Sequence, residues 1–321
     1  MAKNLKYIAL CLFVTLLAIA CSKDGADGNK VTNCNEAKKE IGLKTDVWKM
    51  AEATRATMYD NTALQSGGFV CTAYTAGTQS YNTDAGINGT SVTWKDSRWV
   101  FSDGPHYWPT TDNLDFFAYA PQTSSLPSCY VSVTTDSDTP IPSFSCSDLP
   151  LSLTPSDATQ EFVWALTTGQ NRIGQGESGV TMTFRHPFAR VKFKLSAASN
   201  STIKVNSITL PAIYRDGTCT LTGTGSSATS TWSALSDNEN ALTITGDPAT
   251  SDNADYLVIP NNYGSKTLSV SFTWREWDEE KSQTLTAPLT INWAAGYSYT
   301  YSLTITKNDL KVDVENFTEQ W

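Results

Sequence analysis

The sequence predicts an all-β protein built of β-sandwiches, and three observations carry that prediction. The chain past residue 30 is rich in Thr, Ser, Tyr, Trp and Val and holds few long helix formers. That composition suits pleated, half-buried surfaces. From Gly68 onward, apolar and polar residues alternate in short runs, the period of a strand with one buried face. Turn residues interrupt these runs repeatedly, and about fifteen strands at such spacing fit sandwiches better than a barrel or a parallel sheet.

Taken in order, the chain starts with one helical stretch, Asn35–Ile41 (NEAKKEI), outside the expected core. The first half then offers strands at Phe69–Tyr74, Ser91–Lys95, Arg98–Ser102, Leu114–Tyr119, Tyr130–Thr134, Phe162–Leu166 and Val180–Phe184. The second half offers Arg190–Leu195, Ile203–Leu210, Thr218–Leu221, Leu242–Thr245, Tyr256–Ile259, Thr267–Glu276, Ser282–Trp293 and Tyr297–Thr306. Trp274–Leu285 is the most legible hairpin, two alternating runs meeting at a charged turn, Asp278-Glu279-Glu280-Lys281. Gln122–Pro150 carries four prolines among serines and threonines, and Thr222–Asn240 is rich in Ser, Thr and Gly. Both read as surface loops. The even division of strands favours two sandwiches, 47–186 and 187–321, meeting near Phe184 to Phe188.

Residues 1–20 read as a signal peptide: Lys3 and Lys6 lead into an apolar run, Ile8 to Ile19, and Ala18 and Ala20 supply small residues before Cys21. The run is shorter than the roughly 20 residues that span a bilayer. A cysteine directly after such a site resembles the lipobox of bacterial lipoproteins, with Ala18 where Leu is commoner. Cys21 is therefore the expected lipidation site and the new N-terminus, and residues 21–46 the tether and linker. Two or three acyl chains give stable attachment where one holds only weakly. Removing residues 1–20 takes away two lysines and no acid, moving the net charge from −9 to −11. An acidic chain with scattered charge argues against nucleic acid as a partner.

Five cysteines follow Cys21, without CxxC spacing, which speaks against zinc. Cys129 and Cys146 could bridge one excursion. Neither histidine, His106 nor His186, stands with a nucleophile elbow, so no catalytic site is expected. No cofactor is implied.

Several stretches then line up in a family's order. Ala53-Thr-Arg-Ala-Thr57 follows the tether, and Trp99-Val-Phe leads through Tyr107-Trp-Pro109 to Leu114-Asp-Phe-Phe-Ala-Tyr-Ala-Pro121. Phe184-Arg-His-Pro-Phe-Ala-Arg-Val-Lys-Phe193, Tyr256-Leu-Val-Ile-Pro260 and Gly296-Tyr-Ser-Tyr-Thr-Tyr-Ser-Leu303 follow. With the lipobox, the chain resembles the fimbrillin (Mfa-like) family, the pilin lipoproteins of type V pili. The resemblance implies two tandem transthyretin-like β-sandwiches of about seven strands each, no catalysis, and a surface-exposed lipoprotein of the outer membrane. It further implies an Arg-specific surface protease that releases the first strand, and a vacated groove filled by a strand from another fimbrial subunit. The processed subunit then belongs to the fimbrium.

On that resemblance Arg55, between the small residues Thr54 and Ala56, is the expected processing site; the other reading is a solvated arginine in a surface strand. The last segment alternates apolar and charged residues, making Leu310, Val312, Val314 and Phe317 the donor-strand candidates. Equally, that segment could complete its own domain. Ten tryptophans raise a further possibility, a surface lipoprotein that stacks sugar rings on exposed Trp94, Trp99, Trp108, Trp232 and Trp277.

Overall fold

The structure is a computed structural model that describes residues 38–47, 60–78, 80–122, 131–134, 143–149, 162–174, 179–197, 203–236, 241–245 and 255–320. The first half contains β1 (Leu43–Val47), α1 (Asn61–Gly67), β2 (Phe69–Thr75), β3 (Thr90–Lys95), β4 (Arg98–Phe101) and β5 (Leu114–Ala120). It continues with β6 (Val131–Thr134), β7 (Ser143–Cys146), β8 (Val163–Gln170) and β9 (Val180–Phe184). The second half contains β10 (Ala189–Ala197), β11 (Lys204–Pro211), β12 (Asp216–Thr222), β13 (Thr229–Ser236) and β14 (Ala241–Thr245). After these come β15 (Asp255–Val258), β16 (Asn262–Glu276), β17 (Glu279–Asn292), β18 (Tyr297–Ile305) and β19 (Leu310–Gln320). All fifteen expected strands are present, most with ends displaced by one or two residues.

The strands assemble into a five-stranded sheet (β4-β3-β2-β5-β8), a pair (β1-β9) and three four-stranded sheets. The five-stranded sheet is buried on both faces. Phe69, Cys71, Ala73, Phe116, Ala118, Val163 and Ala165 point into one core with Met182 and Phe184 of β9. Their neighbours Val70, Tyr74, Phe117, Tyr119, Trp164 and Leu166 point into another, as the period of two requires. The sheet β15-β10-β18-β19 faces β14-β11-β16-β17 across a third core. There Trp293 donates Nε1–H to the Tyr301 hydroxyl at 2.8 Å, and burial pushes the Tyr301 phenol up to about 12.

The layer over the second face of the five-stranded sheet is β13-β12-β7-β6. It corrects the reading of the two Ser/Thr-rich segments as loops: besides the expected strand β6, which pairs with β7, they contribute β7 and β13, which both pair with β12. β7 and β13 put single large side chains, Phe144 and Trp232, inward among small polar ones, so their alternation is faint in sequence. Phe144 is the main example. Its ring centroid lies 4.6 Å from Phe162, 6.4 Å from Phe188 and 5.5 Å from Trp232, joining both halves of the chain.

Two further expectations change. The long hairpin turns at Trp277-Asp278, because Glu276 pairs with Glu279 and the ladder runs in register from there to Gly264↔Ile291. Cross-strand attraction favours this register: Arg275 faces Glu280, and Lys281 Nζ donates to Glu276 at 3.0 Å. The α-helix lies at Asn61–Gly67, whereas Glu40 of the expected helix bridges Tyr107 as a strand would. Residues 35–37 lie outside the described residues. Asp60 caps α1 by accepting from Ala63 N–H at 2.9 Å. Gly68 ends it at φ 69°, where a Cβ would meet the Val92 carbonyl oxygen at 2.4 Å.

The Phe144→Ala variant should lose about 3–5 kcal/mol in urea denaturation of the protein, the cost of emptying an aromatic site. Burial also pushes the Cys71 and Cys219 thiols up. Both should resist a thiol alkylating reagent until the chain unfolds, which mass spectrometry along the same denaturation series would read.

Candidate functional site: the first strand and its groove

The segment Ile41-Gly-Leu-Lys-Thr-Asp-Val47 alternates, and the fold uses it that way. Ile41, Leu43 and Val47 are buried in the first core, while Lys44 and Asp46 face solvent. Residues 41–46, read from the sequence as tether, therefore belong to the fold. Burying three aliphatic side chains is worth roughly 5–9 kcal/mol before ordering costs are subtracted.

Strand β1 runs parallel to β9 in register from Leu43↔Val180 to Val47↔Phe184. Close approach at its start depends on two glycines. Val180 N–H donates to the Gly42 carbonyl at 2.8 Å, and a Cβ on Gly179 would sit 2.8 Å from the Gly42 carbonyl carbon and oxygen. Gly179 also has φ +76°, which disfavours other residues.

The second edge of β1 is pinned near its ends. Ile41 N–H donates to the His106 carbonyl at 2.8 Å, and Trp108 N–H donates to the Lys39 carbonyl at 2.9 Å. Val47 N–H donates to Asn61 Oδ1 at 3.1 Å. Lys39 Nζ adds a bond to the Arg172 carbonyl at 2.7 Å. Among the described residues β9 is the sole ladder partner of β1. Between the pins a groove of ≈ 980 Å³ opens beside Leu43 and Thr45, with Trp94, Arg98, Pro105 and Trp108 in its lining. Trp99 Nε1–H reaches across it to Thr45 Oγ1 at 3.0 Å.

His106 belongs to the pin. Its Nδ1 lies 2.9 Å from the Ala85 carbonyl and its Nε2 lies 2.8 Å from Asp103 Oδ1, which fixes the loop whose backbone holds Ile41. His186 is buried at the junction of β9 and β10.

Of the residues singled out in sequence, Cys21, Arg55 and Cys129 lie outside the described residues. Cys146 is buried with its Sγ 3.6 Å from the Arg215 carbonyl. In the monomer, β19 pairs antiparallel with β18 at the edge of its sheet. Leu310 is buried there and Val312 packs against the same core. Val314 pairs through its backbone with Tyr301, and Phe317 falls where the register shifts between Ser298 and Thr300; the side chains of both lie outside the described residues. Leu310 and Val312 thus pack in the third core, which Ile41, Leu43 and Val47 do not enter.

The tryptophans do not form a common platform. Trp99 and Trp108 fill the first core, with ring centroids 4.8 Å from Phe69 and 5.9 Å from Phe116. Trp232 is half-buried and donates Nε1–H to the Pro187 carbonyl at 2.8 Å. Only Trp94 and Trp277 of the five are exposed. Among the described residues no cluster of three or more His, Cys, Asp or Glu is placed to hold a metal. None of their helices is long and apolar enough to cross a membrane.

The Gly179→Ala variant should lose about 1–3 kcal/mol, the usual cost of backbone strain of this kind. Hydrogen exchange should speed up at the β1 amides before it does at those of β2 or β5.

Two solved structures share the fold. A fimbrial protein from Bacteroides vulgatus superposes with a TM-score of 0.56 at 17% identity, covering 86% of this chain and 98% of its own. A candidate cell adhesion protein from Bacteroides ovatus does so with the same TM-score and identity, covering 89% and 98%. At that identity the likeness speaks for the fold. No curated protein sequence matches the chain. The fimbrillin-like family model matches residues 54–321, and the chain belongs to that family.

Proposed function

We propose that this chain is a structural subunit or adhesin of a surface fimbria, with no enzymatic role, made as a lipoprotein precursor and assembled by protease-triggered strand exchange. Cys21 carries the lipid that delivers it to the outer-membrane surface. An Arg-specific protease cuts after Arg55, and residues 56–321 of the two sandwiches enter the fibre. The observation that carries this reading is the position of β1. It contributes Ile41, Leu43 and Val47 to the first core, yet all of it lies upstream of Arg55, so a cut there would leave β1 attached only by non-covalent contacts.

Until that cut, the chain itself keeps β1 at high effective concentration beside β9. Afterwards β1 can depart and a strand from another subunit can take its place. The C-terminal strand, with Leu310, Val312, Val314 and Phe317, is our candidate donor because it lies at a sheet edge, where it completes its own sheet until it is exchanged. Backbone bonds to β9 would supply a generic ladder, and alternate side chains would fill the pockets of Ile41, Leu43 and Val47.

Treating the precursor with a trypsin-like, Arg-specific protease should give one dominant early cut after Arg55, then SDS-resistant ladders on gels. Arg55→Ala should abolish both. Cutting without ladders would point to a tip or anchor subunit, and the absence of any cut near Arg55 would refute the activation step. Val312→Asp should lower the ladder yield by about tenfold or more, the equivalent of losing one buried side chain from the donor. A carbohydrate role would have to rest on Trp94 or Trp277 singly. Binding on a polysaccharide array that disappears in Trp94→Ala would favour it.

A further inference from the structure

The tip of the β16–β17 hairpin is an unusual place for a tryptophan. Trp277 is 96% exposed and has φ 61°, a conformation that costs a residue with a Cβ about 1–2 kcal/mol. The hairpin holds this indole out firmly. Glu276, directly before it, accepts from Lys281 Nζ and Lys307 Nζ, both at 3.0 Å, and these lysines hold its carboxyl below the usual carboxylate range. Lys307 also lies over the Trp274 ring, 5.9 Å from its centroid. Around the indole stand Glu276, Asp278, Glu279 and Glu280 against Arg275, Lys281 and Lys307, a net charge of −1, with Lys281 and Lys307 both drawn onto Glu276. The tip is therefore an aromatic point with a net negative flank.

The groove beside β1 has the complementary character. Trp94 presents an edge that is 38% exposed, braced at 5.0 Å by Trp99. Its lining carries Lys39, Lys44 and Arg98 against Glu40, a net positive rim. One wall is the β3–β4 turn, where Asp96 and Ser97 both have positive φ (49° and 61°). The groove, at ≈ 980 Å³, is large enough to take an indole with the two turn residues that carry it.

The geometry points to a second copy of this chain as the occupant: the Trp277 tip of one copy seats in the β1 groove of the next, its indole against Trp94 and its acids facing Lys44 and Arg98. The exposure of Trp277 shows that the indole is not seated in the groove of its own chain. Because tip and groove are different surfaces, the contact is head-to-tail and leaves a free tip and a free groove at the ends of every chain of copies. It uses β1 in place, so it does not depend on cleavage or strand exchange.

The test uses the full chain carrying Arg55→Ala, so that it stays uncut, with a photo-crosslinking amino acid at position 277. Isotope-mixed copies are irradiated and the crosslinked peptides mapped. The expected result is intermolecular adducts on the Trp94–Arg98 or Pro105–Trp108 stretches. Adducts only elsewhere, or none, would overturn the proposal. Reversing the charges at the tip (Glu279→Lys with Glu280→Lys) or at the rim (Lys44→Glu with Arg98→Glu) should each lower the adduct yield by about fivefold. All four residues are exposed, and circular dichroism would verify that the variants fold. Mixing the two reversed proteins should restore the yield; a mixture as poor as either alone would also overturn it. Failure here would leave the protease ladders untouched, and loss of the ladders would leave this contact intact.

Discussion

The five-stranded sheet is buried on both faces, and the rest of the N-terminal half is arranged to satisfy that condition. An antiparallel sheet commonly keeps one face wet. Here β2 and β5 are apolar in both directions, with Phe69 and Phe116 on one side and Val70 and Phe117 on the other. Two separate covers are therefore needed. One is β1-β9 with α1; the other is β13-β12-β7-β6, half of which comes from beyond Phe188. The two halves of the chain are consequently joined by a shared core around Phe144, Phe162, Phe188 and Trp232.

The two covers are held differently. The second is a four-stranded sheet whose strands support one another, and the Arg185 guanidinium ties it further to β9 through the Gly225 and Ser226 carbonyls. The first depends on one short strand with a single ladder, a few pins at its ends and three apolar side chains. That strand joins the family-matched region only through the segment containing Arg55. A cover that is necessary for the core but lightly attached is suited to replacement, because a substitute strand gains the same burial that the original loses.

Much of this was legible in the sequence, for clear physical reasons. Strands such as Thr267–Glu276 carry an unmistakable period of two, and all fifteen expected strands formed. The misses share a cause. Ser143–Cys146 and Thr229–Ser236 alternate between Ser or Thr and one large residue, so their inward face is thin and only the partner sheet reveals it. Asn61–Gly67 holds a single buried apolar residue, Leu64, too little for a helical period, although Asp60 and Gly68 marked both of its ends. The hairpin turn was misplaced because a charged run looks like a turn, whereas Glu279, Glu280 and Lys281 pair across the ladder. At the site itself, Ile41, Leu43 and Val47 do alternate. Lys38, Lys39 and Glu40 just before them suggested a helix, and contact with the Tyr107 loop overrode that local preference.

The pairing of Leu43 with Val180 also sets a timetable. On the ribosome β1 is among the first described parts of the fold to be made, but its ladder partner β9 is made much later. At ordinary synthesis rates the interval is on the order of ten seconds. Through that interval β1 lacks the ladder that β9 supplies. The first strand of the fold thus waits for the ninth, so the newly made protein passes through a state in which the first core lacks its β1 cover.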